Sequence, residues 1–361
     1  MEKEAKNIVL IDSNAVIHRS YHALPKSMST SKGELTNAVY GYTTTLIKAL
    51  EDLKPAYLAA SFDISKATFR TEVYADYKVH RVAVDQELYD QIPKVRKLLE
   101  VLNIPIYEMA GFEADDCIGT IVSKVNQLRE KTGENYKVFV ISGDKDIYQL
   151  IDDNIFVYSL KKGLSKMEVV DCATIKEEYG LDPEDFIDLK ALAGDPSDNI
   201  PGVPGIGPKT ATDLIQRFDS LVKLYETIEA ALPEGFMSDL ENSDPDTFIE
   251  NCKLKIENCE GELVAIAKQL NLKPRILNLL ITHKAQAFLS QHLATIKRDV
   301  PIDFDLEKCK WGDYNRDDLQ QFFESMQFHS LLRRFGAEPK EAPKTASAQV
   351  KQKQDEQLKL L

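Results

Sequence analysis

Gly111-Phe112-Glu113-Ala114-Asp115-Asp116 places three carboxylates within four residues, and an apolar stripe at helical spacing, Ile118, Ile121, Val122 and Val125, follows directly. The spacing predicts a helix whose first turn carries the acids. The dipole of a helix favours negative charge there by about 0.3–1 kcal/mol per group. That does not account for three carboxylates side by side, because like charges repel. A bound cation holds such a cluster most readily; the alternative is a solvated, acid-rich helix start. The stretch alone does not choose between them, and the residues at the ends of the neighbouring strands do.

Asn7–Asp12 (NIVLID) reads as a buried strand ending in an acid, and Ala56–Asp63 (AYLAASFD) as a second that ends the same way. Ile104–Glu108 (IPIYE) is a third, running into the opening stretch. Tyr136–Ser142 (YKVFVIS) is a fourth, followed by Gly143-Asp144-Lys145-Asp146. Helices are predicted over about 35–53 and 85–102, the second with Pro93 as a kink or break. This alternation predicts an α/β fold, a mostly parallel sheet flanked by helices on both faces. Ligands of open α/β sheets bind at the carboxyl edge of the strands. One strand followed by Asp usually marks a turn. Four in succession deliver acids to one rim.

From Cys172 the pattern becomes helical. A short helix over 183–193 leads into Gly194-Asp195-Pro196-Ser197-Asp198-Asn199. Next come Gly202-Val203-Pro204-Gly205-Ile206-Gly207 and then Lys209 and Thr210, which open a helix reaching Phe218. Residues 232–270 are polar, with loop-like segments and one or two helices. The last 25 residues, Ala337 to Leu361, are poor in large apolar groups, which predicts a disordered tail. The expected organisation is therefore an α/β domain over 1–171, a helical region over 172–336 and a tail over 337–361.

The chain has 361 residues, 43% apolar and 29% charged, ample for a sizeable core. It contains no apolar run long enough to span a membrane. Its charged N-terminus runs straight into a strand, unlike a signal peptide. Cys117, Cys172, Cys252, Cys259 and Cys309 are scattered and odd in number, which fits reduced thiols and a cytosolic setting. The net charge of −13 argues against a nucleic-acid partner unless many of the acids form one metal site.

Nine acids stand out: Asp12, Asp63, Glu113, Asp115, Asp116, Asp144, Asp146, Asp195 and Asp198. No His or Cys accompanies them, so the set suits Mg²⁺ or Mn²⁺ rather than zinc. Mg²⁺ retains several waters and takes few carboxylates directly, so nine acids suit two ions and an outer shell. Two metals about 4 Å apart clamp both oxygens of a phosphoryl displacement, which points to phosphodiester hydrolysis. The glycine hairpin at 202–207, with Lys209 and Thr210 in the following turn, suits backbone contact with phosphates. Between Lys66 and Arg81 stand four Lys/Arg and two acids, with Phe69, Tyr74 and Tyr77 interleaved. Basic groups meet phosphates, and rings stack on unpaired bases for about 1–3 kcal/mol each. Arg19, after the first strand, reaches the same rim.

These pieces, in order, resemble the 5′ nuclease (5′-3′ exonuclease) domain of bacterial DNA polymerase I, in the flap endonuclease superfamily. The matching segments are LIDSNAVIHRSYHAL, AVYGY, FDISKATFRTEVYADYKVHR, GFEADD, SGDKDIYQL and LAGDPSDNIPGVPGIGPKTA. They cover about 7–225 closely and resume near 273–336. The resemblance implies a PIN-like/flap-endonuclease fold with a helical arch over about 66–100 and a helix–hairpin–helix C-terminal region. It implies a Mg²⁺-dependent enzyme, with Mn²⁺ as a substitute, cutting 5′ flaps and nicked or gapped duplexes and removing RNA primers. Asp12, Asp63, Asp115 and Asp116 would serve one ion. Asp144, Asp146, Asp195 and Asp198 would serve the other, with Glu113 in support. Lys78 and Arg81 would sit over the scissile phosphate, Arg19 and Arg70 would contact further phosphates, and Tyr77 would stack on an unpaired nucleotide. Gly202, Gly205, Gly207, Lys209 and Thr210 would hold the duplex backbone, with K⁺ on the hairpin carbonyls.

The chain departs from the family in its longer 232–270 segment and in having no polymerase after it. It is expected to be a monomer in the bacterial cytosol, either free-standing or a fragment, with a separate DNA polymerase as a candidate partner. Its end, Gln357-Leu358-Lys359-Leu360-Leu361, is similar to short peptides that dock on the bacterial sliding clamp, which would use Gln357, Leu358, Leu360 and Leu361. Two other readings remain at this point. A catalytically inactive DNA-binding relative would have lost acids, and a small-molecule phosphatase would have no use for the arch or the hairpin.

Overall fold

Ile8 to Ile11 is apolar without alternation because both faces of its strand are covered. Val9 and Ile11 point into one core, Ile8 and Leu10 into another. The structure, a computed structural model, describes residues 4–65, 67–80, 85–162, 166–237 and 248–335. Six strands form one sheet: β1 (Lys6–Asp12), β2 (Tyr57–Ser61), β3 (Ile106–Tyr107), β4 (Tyr136–Ser142), β5 (Ile155–Lys162) and β6 (Lys166–Val170). Their order is β3-β2-β1-β4-β5-β6. Pairing is parallel from β3 to β5, and β6 returns antiparallel on the edge. The four expected strands are present. β5 and β6 extend the sheet beyond them.

The first face is covered by α1 (Ser13–Ala23), α2 (Asn37–Leu53) and α5 (Ile92–Val101), with the short helices α3 (Phe69–Val73) and α4 (Gln86–Tyr89) before α5 in the chain. The second is covered by α6 (Ala114–Thr132) and by the segment through Ile296, Val300, Ile302 and Leu306. The helix expected over about 85–102 is divided. A single turn, Gln86–Tyr89, precedes α5, and Pro93 stands in the first turn of α5, where no helical N–H is lost. Val95, Leu98 and Leu99 of α5 are buried in the first core. The back half of the expected arch is thus part of the sheet-covering layer.

Helices Asp185–Ala193, Pro208–Phe218, Leu221–Ala231, Phe248–Asn258, Glu260–Gln269 and Pro274–Thr282 belong to a third core. The region expected as one unit over 172–336 does not stay there. Lys284–Ala294 carries the chain back, residues 296–309 line the second sheet face, and Arg316–Ser325 and His329–Arg334 pack Leu319, Phe322, Phe323, Leu331 and Leu332 onto the first. No helix among the described residues is long and apolar enough to cross a membrane. The expected tail lies outside the described residues, as do Arg81 and the Gln357, Leu358, Leu360 and Leu361 motif.

Candidate active site

β3, β2, β1 and β4 are consecutive in the sheet, so the acids at their carboxyl ends fall side by side. Asp12 ends β1 opposite Ser61, the last residue of β2. Its carboxylate also caps α1, accepting from the Ala15 N–H at 3.1 Å, and accepts from the Ser142 hydroxyl at 2.8 Å. Burial, and then the charge of Asp63, pushes its carboxyl up to about 7. Asp63 accepts from the backbone N–H of Ala114 at 2.7 Å, tying the β2 end to the first turn of α6. Asp115 is held well above the ordinary carboxylate range by burial and by the charges of Asp116 and Glu113, against the pull of Arg70. Asp144 is raised as well, by burial and then by Asp198 and Asp195, with Lys190 opposing. Three carboxylates on one rim therefore bear negative charge at a cost.

Positive side chains lie across this rim. Lys190 donates to Asp146 and to Asp195, the latter at 2.6 Å. It holds Asp195 below its usual range despite burial. Lys78 donates to both oxygens of Glu113 at 2.8 Å and lies 3.5 Å from Asp198. Among the described residues no acid, histidine or cysteine cluster stands as a ready-made metal cage, which fits ammonium groups drawn in between the carboxylates. The rim opens into a cavity of about 560 Å³ lined by Arg19, Asp144, Lys145, Asp146, Lys190 and Asp195. Among the described residues, Arg19 Nε is buried there without a hydrogen-bond partner.

The loop between Asp195 and Ile200 is clamped onto the residues before Arg81. Asp195 and Ile200 exchange backbone hydrogen bonds at 2.9 Å. The Lys78 N–H donates to the Asp198 carbonyl at 2.9 Å, and the Asn199 side chain donates to the Asp76 carbonyl at 2.7 Å. Lys78 itself has φ +56°, a left-handed conformation that costs a non-glycine residue roughly 1–2 kcal/mol.

Three of the expected site residues lie buried among protein partners. Arg70 has a side chain 2% exposed, with its guanidinium spent on protein acceptors. Tyr77 does not offer a free ring for stacking. It is 4% exposed, and its hydroxyl donates to Glu113 at 3.1 Å and Asp198 at 3.3 Å. Asp116 is fully buried and both its oxygens accept hydrogen bonds from protein donors, leaving it no open side towards an ion. In each case the interior claims a side chain that the linear pattern places at the surface.

The hairpin glycines also divide. Gly202 has φ +61°, and a Cβ there would lie 2.2 Å from the Gly194 nitrogen, so it serves close packing of the two turns. Gly205, with φ +89°, and Gly207 are exposed, and Gly207 precedes the Pro208–Phe218 helix with no side-chain cap. Lys209 is exposed and Thr210 half-buried in that first turn. Lys190 and Ser142 are site residues that the sequence pattern misses. Lys190 lies outside every quoted motif, and Ser142 opens the SGDKDIYQL segment without being read there as a site residue.

Residues 7–180 match the model of the 5′-3′ exonuclease N-terminal resolvase-like domain, and residues 181–256 match that of the 5′-3′ exonuclease C-terminal SAM fold. The chain is 37% identical over 344 residues to DNA polymerase I of Bacillus subtilis, covering 95% of this chain and 34% of that protein. It is 37% identical over 331 residues to DNA polymerase I of Streptococcus pneumoniae, covering 91% and 32%. The chain thus spans about a third of the length of these relatives. Among solved structures, T5 5′-exonuclease with bound zinc superposes with a TM-score of 0.51 at 20% identity, covering 81% of this chain and 99% of that one. The bacteriophage T5 flap endonuclease in a complex with DNA and metal ions gives 0.51 at 20% identity, covering 90% and 98%. At that identity the likeness speaks for the fold.

Proposed function

From the premise that this chain belongs to the 5′-3′ exonuclease family, we propose that it hydrolyses phosphodiesters as a 5′-3′ exonuclease and structure-specific flap endonuclease dependent on divalent metal. Its substrates are 5′ flaps, nicked or gapped duplexes and RNA-primed DNA. The observation that carries this is the convergence of Asp12, Asp63, Asp115 and Asp144 on the carboxyl edge of four adjacent strands, with Asp146, Asp195 and Asp198 facing them.

The donor set fits a pair of hard cations. It is all oxygen, and the burdened charges of Asp12, Asp115 and Asp144 are what a divalent ion relieves. Asp12, Asp63 and Asp115 would hold one ion; Asp144, Asp146, Asp195 and Asp198 would hold the other. Bound Mg²⁺ supplies Lewis acidity and an acidified water. The chain's own groups do the rest. Lys78, fixed by its backbone bond to Asp198, presents an ammonium where charge develops on the phosphate. Tyr77 and Lys78 keep Glu113 in place. Arg19 offers a buried N–H to a phosphate entering the cavity. Gly205, Gly207, Lys209 and Thr210 grip the duplex backbone away from the cut.

Asp144→Asn tests the reading. Single-turnover cleavage of a 5′-flap substrate with Mg²⁺ is expected to fall at least about 100-fold, with flap binding in Ca²⁺ retained. Cleavage that persists undiminished, or that survives EDTA in the unsubstituted chain, overturns it.

A further inference from the structure

Arg70 stands on the five-residue helix Phe69–Val73, at the base of the segment that approaches the substrate. A guanidinium has five N–H donors in a fixed fork, and each has a protein acceptor here. Nε donates to the Leu293 carbonyl at 2.8 Å. Nη1 donates to Asp116 Oδ2 at 2.7 Å and Glu113 Oε2 at 3.3 Å. Nη2 donates to Asp116 Oδ1 at 2.9 Å and the Thr295 carbonyl at 3.0 Å. Asp116 is filled in the same way, for it also accepts from the Lys297 N–H at 2.8 Å and the Glu113 N–H at 3.0 Å. No donor of the arginine is left for a phosphate, and no open lone pair of the aspartate for an ion. Three segments remote in sequence, at 70, 113–116 and 293–297, meet on this one pair.

We propose that Arg70 and Asp116 are positioning residues, a closed pair that sets the first turn of α6, and with it Glu113 and Asp115, against Lys78. The inference rests on the nuclease reading of the site and specifies how the site is held. Through the Leu293 and Thr295 carbonyls the pair also makes the 293–297 strap part of the active-site frame. A displacement of Asp115 by about 1 Å is enough to lose roughly 10²-fold in rate, since the reaction depends on orientation. Lysine cannot replace Arg70, because a point charge on a flexible stem cannot make the bidentate contact and reach both carbonyls.

The test uses Arg70→Lys and the near-isosteric Asp116→Asn in the full chain. Single-turnover cleavage of a 5′ flap with Mg²⁺ is measured beside flap affinity in Ca²⁺ over a range of salt. Each variant is expected to lose about 10²-fold in maximal rate, with KM and Kd within about twofold and the salt slope of binding unchanged. The double variant is expected to lose little more than either single one, as residues acting together do. Hydrogen exchange at the Lys297 amide is expected to accelerate in Asp116→Asn, a readout independent of cleavage. Weaker binding to every substrate, with a salt slope lower by about 1, would put Arg70 on a phosphate and overturn the proposal. Loss of one Mn²⁺ site by calorimetry in Asp116→Asn, with both sites kept in Arg70→Lys, would put Asp116 on the metal and overturn it too. A rate loss that disappears on cooling, in step with a lowered Tm, would leave the pair a merely structural role and also overturn it. Absence of cleavage by the unsubstituted chain would instead fail the nuclease reading, leaving the exchange and affinity outcomes to judge the pair.

Discussion

Lys78 carries more of the site than any pattern in the chain announces. Its ammonium meets Glu113, its N–H meets the Asp198 carbonyl, and its φ of +56° is the strained conformation that lets both happen. Lys78→Met keeps the bulk and removes the charge. It is expected to lower the single-turnover rate roughly 10²–10³-fold, the scale of losing one preorganised donor. A rate within about threefold of the unsubstituted chain would remove Lys78 from the chemistry. The acids make a separate prediction about pH. Asp12 titrates near 7 in the folded state, above its ordinary value, chiefly through burial. The folded chain therefore binds more protons than the unfolded one as pH falls from about 7 towards 4, and the metal-free protein gains stability over that window. In EDTA, Tm is expected to rise as pH drops from 8 to 6. Saturating Mg²⁺ at pH 8 is expected to raise Tm as well, by neutralising the same charges. The nine acids and Lys78 were legible as candidates because they lie in strand-end, loop and arch motifs, but the sequence did not show that Asp116 is closed by Arg70 and the Lys297 N–H. Arg70 and Tyr77 were legible as residues but not in their roles, since burial depends on Leu293, Thr295 and Asp198, remote in the chain.

At the level of elements, α6 and the hairpin are the two that the sequence pattern describes best. α6 begins at Ala114 with Glu113 as its cap, and Glu113 and Asp116 form a reciprocal capping box. The acid cluster is thus a helix start as well as a site. In the hairpin the glycines have separable duties. Gly202→Ala would drive a Cβ into the Gly194 backbone from a left-handed φ, and is expected to cost about 3 kcal/mol or more. Gly207 has φ −93°, and a Cβ there would meet nothing within 4 Å, so Gly207→Ala should cost no more than about 1 kcal/mol. Denaturant unfolding compares the two. Equal losses would mean that the two turns do not depend on their close approach. Helix α1 escaped the sequence reading because Ser13, Asn14, His18 and Ser20 are indifferent helix formers. Its helix is imposed by the Asp12 cap and by Val16, Ile17 and Tyr21 packing on the sheet.

Across the whole molecule, the C-terminal helices close the fold. Arg316–Ser325 and His329–Arg334 lie on the first sheet face, where Phe323 is fully buried against the core that holds Leu46 and Leu99. Arg334 pairs with Glu51 of α2 at 3.0 Å. Phe323→Ala is expected to cost about 3–5 kcal/mol. The loss should appear as faster hydrogen exchange in α2 and α5, with the helical core around Leu214 and Leu224 little changed. Exchange that rises only in the helical core would contradict this packing. Such a return was not readable from periodicity, which reports which face of a helix is apolar but not which partner covers it.

The amino-acid sequence by itself determined the parallel sheet, the acids at the ends of its strands and the hairpin that follows. These are local facts: an apolar run makes a buried strand, a carboxylate beside it marks the carboxyl edge, and glycine permits a tight turn. Tertiary structure alone decided which charges face one another. Lys190 between Asp146 and Asp195, and Arg70 locked to Asp116 and to the carbonyls of residues 293 and 295, depend on side chains meeting across more than one layer. Burial then sets the consequence, for a charge removed from water must be met by whatever partner the fold brings to it.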